Sequence, residues 1–172
     1  MKKSLLKYIT LIEILFLAAW SDMKNKKVSN FLILLGIGFG FTFEVHENKL
    51  IGVWYFIRNI SYPIIILYLL FLMHALGAGD IKLFSVISSF MGIKAVTICI
   101  LISIFIGGFL SLIKIVKFRK EYKLWEFYYY LKDLLILKKI KPYDLTRNSQ
   151  NTICFTIPIF LSCLIYLWEV VF

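Results

Sequence analysis

Two aspartates stand at the ends of apolar runs, where a charge needs a reason. Asp22 closes the run Leu5–Ser21 and is followed by Met23-Lys24-Asn25-Lys26-Lys27. Asp80 lies in the string Leu76-Gly77-Ala78-Gly79-Asp80-Ile81-Lys82, at the head of another apolar run. Two carboxylates at one depth can activate a water by acid–base chemistry. Close together they do not both ionise cheaply, so one keeps its proton while the other is charged. The ionised member takes a proton from water, which attacks a carbonyl such as that of a peptide bond. The protonated member donates to the developing oxyanion or to the leaving amine, and the pair titrates as a unit.

The neighbours of Asp80 suit such a site. Gly77 and Gly79 lack Cβ, which lets the backbone turn and lets a substrate strand or a helix come close. Lys82 falls on a different helical face from Asp80, so it is expected to balance charge near the pair or to reach the interface rather than to pair within the helix. His74 is read as a packed histidine of the preceding run. Glu13 is expected to face the bundle interior or to pair with Lys7. His46 is read as solvated in an outer loop with Glu44 and Glu47, and Glu169 is placed at the outer interface. Cys99, Cys154 and Cys163 lie in apolar runs without a C-x-x-C pair, so they read as small buried residues, and neither a metal site nor a cofactor is expected.

The elements that must position the two aspartates follow from composition. Of 172 residues, 60% are hydrophobic and 17% charged, with mean hydropathy +0.83. Soluble domains have roughly 45–50% apolar and about 25% charged residues, and disorder needs low hydrophobicity, so both classes are excluded. A membrane-crossing helix takes about 20 mainly apolar residues. The chain divides into runs at about 5–21, 28–43, 59–76, 77–93, 95–113 and 152–170, with an interfacial piece near 50–57. The expected fold is an all-α integral membrane protein, a single domain of about six transmembrane helices with a cytoplasmic or interfacial amphipathic helix. The first run resembles a signal peptide, but Ala18-Ala19-Trp20-Ser21-Asp22 is a poor cleavage site and further spans follow. The fourth run has 11 uncharged residues, Leu83–Ile93, which cover about 16 Å of a core about 30 Å thick. It spans only if its helix starts near Gly77 and takes Asp80 and Lys82 with it, facing protein or water rather than lipid.

The net charge of +10 first suggests nucleic acid. In so apolar a chain, Lys and Arg more often mark the cytoplasmic side. With the N-terminus outside, the inner segments carry Lys24, Lys26, Lys27, Lys82 and ten basic residues of 114–147, which makes 14, against six outside. That assignment puts Asp22 and Asp80 on the cytoplasmic face of a plasma membrane. In 114–147, Phe118, Tyr122, Trp125 and Tyr129 recur at helical spacing between lysines, as in an amphipathic helix on anionic lipid. No nucleic-acid motif accompanies the charge, so lipid rather than nucleic acid is the expected partner.

Gly77-Ala78-Gly79-Asp80, followed by Lys82 and Leu83, resembles the G-x-G-D-x-K-L signature of the type IV prepilin peptidases. In that family a first aspartate ends an earlier span, with a basic residue and an Ile-Pro-Asn-like helix start after it. Asp22, Lys24 and Val28-Ser29-Asn30 are similar to that pattern, with Val28 in place of isoleucine and Ser29 in place of proline. Ile157-Pro158 is similar to a proline-bearing motif of the family's last helix. The resemblance implies a membrane aspartic endopeptidase that removes the short basic leader from prepilins or pseudopilins at the cytoplasmic face. Asp22 and Asp80 would be its catalytic pair, supported by Gly77, Gly79, Lys82, Lys24 and Asn30, without metal. Bifunctional members carry an added domain with paired C-x-x-C motifs and also methylate. The chain is expected to be the short, peptidase-only form. The rival readings are an ion- or proton-coupled transporter or channel using the same aspartates, and a non-catalytic pilus-assembly protein.

Overall fold

The structure is a computed structural model that describes residues 2–73, 76–117 and 154–171. It is all helical among these residues: α1 (Lys2–Asn25), α2 (Asn30–Leu72), α3 (Ala78–Lys117) and α4 (Thr156–Val171). The chain divides into one unit of Met1–Gly107 with Cys154–Phe172 and a second of Gly108–Ile153. Every residue discussed below belongs to the first. His74 and the amphipathic pattern from Phe118 to Tyr129 lie outside the described residues.

Two helices, α2 and α3, are long and apolar enough to cross a membrane, and α4 is a shorter apolar helix. The count of six spans is therefore not confirmed. α2 is two helices joined at Lys49, whose φ 53° and ψ −137° leave helical geometry. The chain thus breaks within the stretch 44–57, where the sequence suggested an outer loop and an interfacial piece, with helix on both sides of the break. In α3 the break falls at Gly92, φ 80° and ψ 178°, and not at the charged Lys94. The reason is conformational. That backbone region is open essentially only to glycine, and Gly92 offers it two residues before Lys94.

The core forms where apolar stripes at helical spacing meet. Leu11, Leu15 and Ala18 of α1 join Ile33 and Leu67 of α2, Leu83, Phe84, Ile87 and Phe90 of α3, and Ile159, Cys163 and Leu167 of α4. α1 packs on both α2 and α4. Large apolar side chains also cover the outside: Phe31, Leu34, Trp54, Ile65 and Phe105 are each at least 66% exposed. So wide an apolar exterior suits lipid and not water. In lipid, helices associate through close packing and not through water exclusion, which places small residues at contacts. Gly36 and Gly40, one turn apart and buried, serve this role. A Cβ on Gly36 would lie 2.8 Å from Val86 Cγ1 and 3.3 Å from Ile14 Cγ2, and one on Gly40 would overlap Ser89. Polar contacts join α2 to α3 as well: Tyr62 Oη and Thr97 Oγ1 are 2.8 Å apart, and Ser85 Oγ donates to the Ile60 carbonyl at 3.3 Å.

Two expectations for charged residues are corrected. Lys7 pairs with Glu47, Nζ to Oε2 2.7 Å, and Glu13 is exposed and unconnected to it. Glu44 is buried and accepts a hydrogen bond from Asn48 at 3.2 Å, so it is not a solvated loop acid. Both changes share a cause: the helix before Lys49 lets residues 44, 47 and 48 stack on one side, one turn apart. His46 and Glu169 are exposed, and Cys99 and Cys163 are buried while Cys154 is partly so.

Candidate active site

The core stripe of α1 runs Leu11, Leu15, Ala18 and then Asp22, each three or four residues after the last. Asp22 is 8% exposed, so a carboxylate occupies what would be the next apolar position. The helix ends one turn later. Lys26 adopts the left-handed conformation, φ 52°, and its N–H donates to the Asp22 carbonyl at 2.7 Å, a closure typical of helix C-termini. The Asp22 side chain accepts a hydrogen bond from another helix: Thr156 Oγ1, in the first turn of α4, donates to Asp22 Oδ2 at 2.5 Å. Cys154 Sγ lies 3.8 Å from the Asp22 carbonyl oxygen. The chain entering α4 therefore covers Asp22 on both its backbone and its side chain.

Asp80 is the third residue of α3. The Gly77 N–H donates to Asp80 Oδ2 at 3.2 Å, while the Asp80 and Ile81 N–H groups reach back to the Gly77 carbonyl at 3.1 and 3.4 Å. A side chain at the third position that satisfies the N–H preceding the helix is one half of a capping box. The acid also meets the positive end of the helix dipole. A Cβ on Gly77 would sit 3.2 Å from Asp80 Oδ2, so the absence of a side chain keeps that carboxylate close to the backbone. The freely turning backbone expected from Gly77 and Gly79 is not what they supply: among the described residues, Gly92 is the glycine with positive φ. Gly79 instead faces Val28, where a Cβ would meet the valine side chain at 3.5 Å.

The first turn of α3 lies against the connection that follows α1, where Gly79 faces Val28 and Lys82 bonds Asn30, so Asp22 and Asp80, 58 residues apart in sequence, both lie beside that connection. Asp80 is partly exposed and Asp22 is buried. Oδ2 of each carboxylate is engaged, by a hydroxyl in one case and a backbone N–H in the other, and Oδ1 of each accepts no hydrogen bond among the described residues.

The supporting residues divide. Lys82 Nζ donates to Asn30 Oδ1 at 3.1 Å, tying the first turn of α3 to the first residue of α2. The lysine thus has a specific partner, a finer role than the charge balance or snorkelling expected from its position. Lys24 is exposed in the last turn of α1 and contacts neither aspartate among the described residues. Thr156 escaped the sequence reading altogether. Its signal was available: it sits three residues before Ile159 and seven before Cys163, on the buried face of α4, where a polar residue needs a partner.

A model of the type IV leader peptidase family matches residues 9–112, a stretch that contains both aspartates, the glycine string and Lys82. The chain belongs to the type IV leader peptidase family. It is thus a peptidase and, with its apolar helices, a membrane protein. No curated protein and no solved structure matches it. The last helix, with Thr156, lies beyond the part of the family member that the model covers.

Proposed function

We propose that the chain is a membrane aspartic endopeptidase that removes the short basic leader from type IV prepilins or pilin-like proteins at the cytoplasmic face of a bacterial plasma membrane. The observation that carries this reading is that the Asp80 turn of α3 is seated, through Lys82–Asn30 and Gly79–Val28, on the connection that follows Asp22, within a chain of the leader peptidase family. The two carboxylates share a proton and hold the attacking water. The charged member takes a proton from that water as it adds to the scissile carbonyl. The protonated member donates to the carbonyl oxygen. The proton taken from water then passes to the departing amine as the C–N bond breaks, and the proton on the oxygen returns to the first carboxyl as the C=O re-forms. Thr156 and the Gly77 N–H each engage Oδ2, which leaves Oδ1 of each carboxylate to bind the water.

The long helices support a chain of six spans. Forty-three residues of α2 would extend about 65 Å if straight, twice a hydrocarbon core of about 30 Å. Breaks at Lys49 and Gly92 let α2 and α3 each cross twice, and α1 and α4 complete the set. The excess of lysine and arginine in the segments next to Asp22 and Asp80 supports a cytoplasmic site. The substrate would be a peptide whose basic leader precedes a hydrophobic helix. The basic segment 114–147 suits anionic lipid rather than a leader of its own sign. Co-expression with a pilin-like protein tests the reading: the wild type shortens the partner, and Asp22→Asn or Asp80→Asn leaves it full length. Processing by either variant would overturn the proposal.

A further inference from the structure

We propose that Thr156 is a positioning residue for Asp22, so that the last helix completes the catalytic pair. The inference rests on the reading of Asp22 and Asp80 as that pair. It is drawn from how the hydroxyls of the chain use their protons. Within a helix, Ser89, Thr97, Ser103 and Ser162 donate to carbonyls three or four residues back. Thr156, as the first residue of α4, has no turn of its own helix behind it, and it gives its proton across to another helix, onto Asp22 Oδ2 at 2.5 Å. A hydroxyl has one proton to donate, so Asp22 receives all that this group can give.

Burial and stiffness make the contact directional. Thr156 is 2% exposed and Asp22 8%, so water does not readily replace the hydroxyl. Threonine is branched at Cβ, which restricts χ1 and so narrows where Oγ1 can stand. Asp22 stands one turn from the end of α1, where a carboxylate without a second anchor would swing about its side-chain torsions. Cys154, two residues before Thr156, lies against the main-chain carbonyl of the same aspartate, so the start of α4 is seated on Asp22 at two points. Loss of the hydroxyl would release Oδ2 and let the carboxylate rotate away from the water it shares with Asp80. Substrate binding does not use this bond. The defect therefore falls on turnover.

The test uses the purified full-length chain in detergent and a synthetic peptide with a basic leader, a glycine and a hydrophobic helix. Thr156→Val keeps the shape and removes the proton. Its expected kcat is lower by roughly 10- to 100-fold with KM within about twofold of wild type, since a misdirected catalytic group costs that much. Thr156→Ser restores the hydroxyl and is expected within about threefold of wild type. A wild-type kcat for Thr156→Val overturns the inference, as does a change confined to KM. Equal defects in Thr156→Ser and Thr156→Val also overturn it, because packing of the methyl group would then be the cause. If Thr156→Val does not fold, Thr156→Ala, which adds no bulk, carries the same comparison. Asp22→Asn and Asp80→Asn distinguish the two levels. Cleavage by either overturns the aspartate pair, whereas inactive aspartate variants beside a fully active Thr156→Val overturn the role of Thr156 alone.

Discussion

Gly40→Ala should loosen the packing of α2 on α3 by far more than one methyl group suggests. The new Cβ would overlap Ser89 Oγ and come within 2.8 Å of Ser89 Cβ, with Phe90 Cδ2 at 3.4 Å. The hydroxyl can rotate, but Ser89 Cβ is fixed to its backbone, so relief requires the helices to part. Overpacking of this kind costs about 1–3 kcal/mol. Gly38 provides the control, because a Cβ there meets nothing within 4 Å. Gly38→Ala should be neutral or stabilising by up to about 1 kcal/mol, through helix propensity alone. Adding Ser89→Gly to Gly40→Ala removes both offending atoms, so the double variant should show a favourable coupling. The assay is thermal unfolding of five proteins in one detergent: wild type, Gly40→Ala, Gly38→Ala, Ser89→Gly and the double variant. The reasoning also reaches the site: Ser89 is nine residues from Asp80 on the same helix, about 13 Å along it. Separation of the helices should therefore lower cleavage together with stability. Equal stability of Gly40→Ala and Gly38→Ala, or no coupling with Ser89→Gly, would refute this account of the α2–α3 contact.

Gly92→Ala should also destabilise, by about 1–3 kcal/mol, but for a conformational reason: its Cβ meets nothing within 4 Å, while φ 80° and ψ 178° suit glycine alone. Unfolding midpoints check this, and no change would show that the turn in α3 is not held at that residue. Lys82→Met and Asn30→Ala break the same hydrogen bond between α2 and α3. Each should cost about 0.5–1.5 kcal/mol, and the double variant no more than the worse single one. Additive losses in the same unfolding assay would mean that the two residues act separately.

The candidate site stands out in the sequence through anomaly. Asp22 and Asp80 are legible because a charge at the end of an apolar run must be paired, buried for a purpose or solvated, and the glycine string marks which. The limits of α1 and α4 are legible too, from the lengths of the runs 5–21 and 152–170, although residues 152 and 153 lie outside the described part. The breaks were harder. Charge pointed to Lys94, where the break falls two residues earlier because the Gly92 backbone can leave helical geometry, and to the stretch 44–57, where Lys49 leaves it. Partners across helices were not legible at all. Nothing in the spacing of Lys7 and Glu47, Lys82 and Asn30 or Thr156 and Asp22 announces a hydrogen bond, since each depends on how two helices are placed side by side. Of these, Thr156 came closest to being readable, as a polar residue on an otherwise apolar face of α4.

The most direct test of the central claim is cleavage of a synthetic prepilin-like peptide by the purified chain and by its Asp22→Asn and Asp80→Asn variants, with folding confirmed for each by its unfolding transition. A water activated between two carboxylates predicts product cut just before the hydrophobic helix by the wild type and none above background by either variant. Product formed at a wild-type rate by a folded Asp22→Asn or Asp80→Asn protein would contradict it.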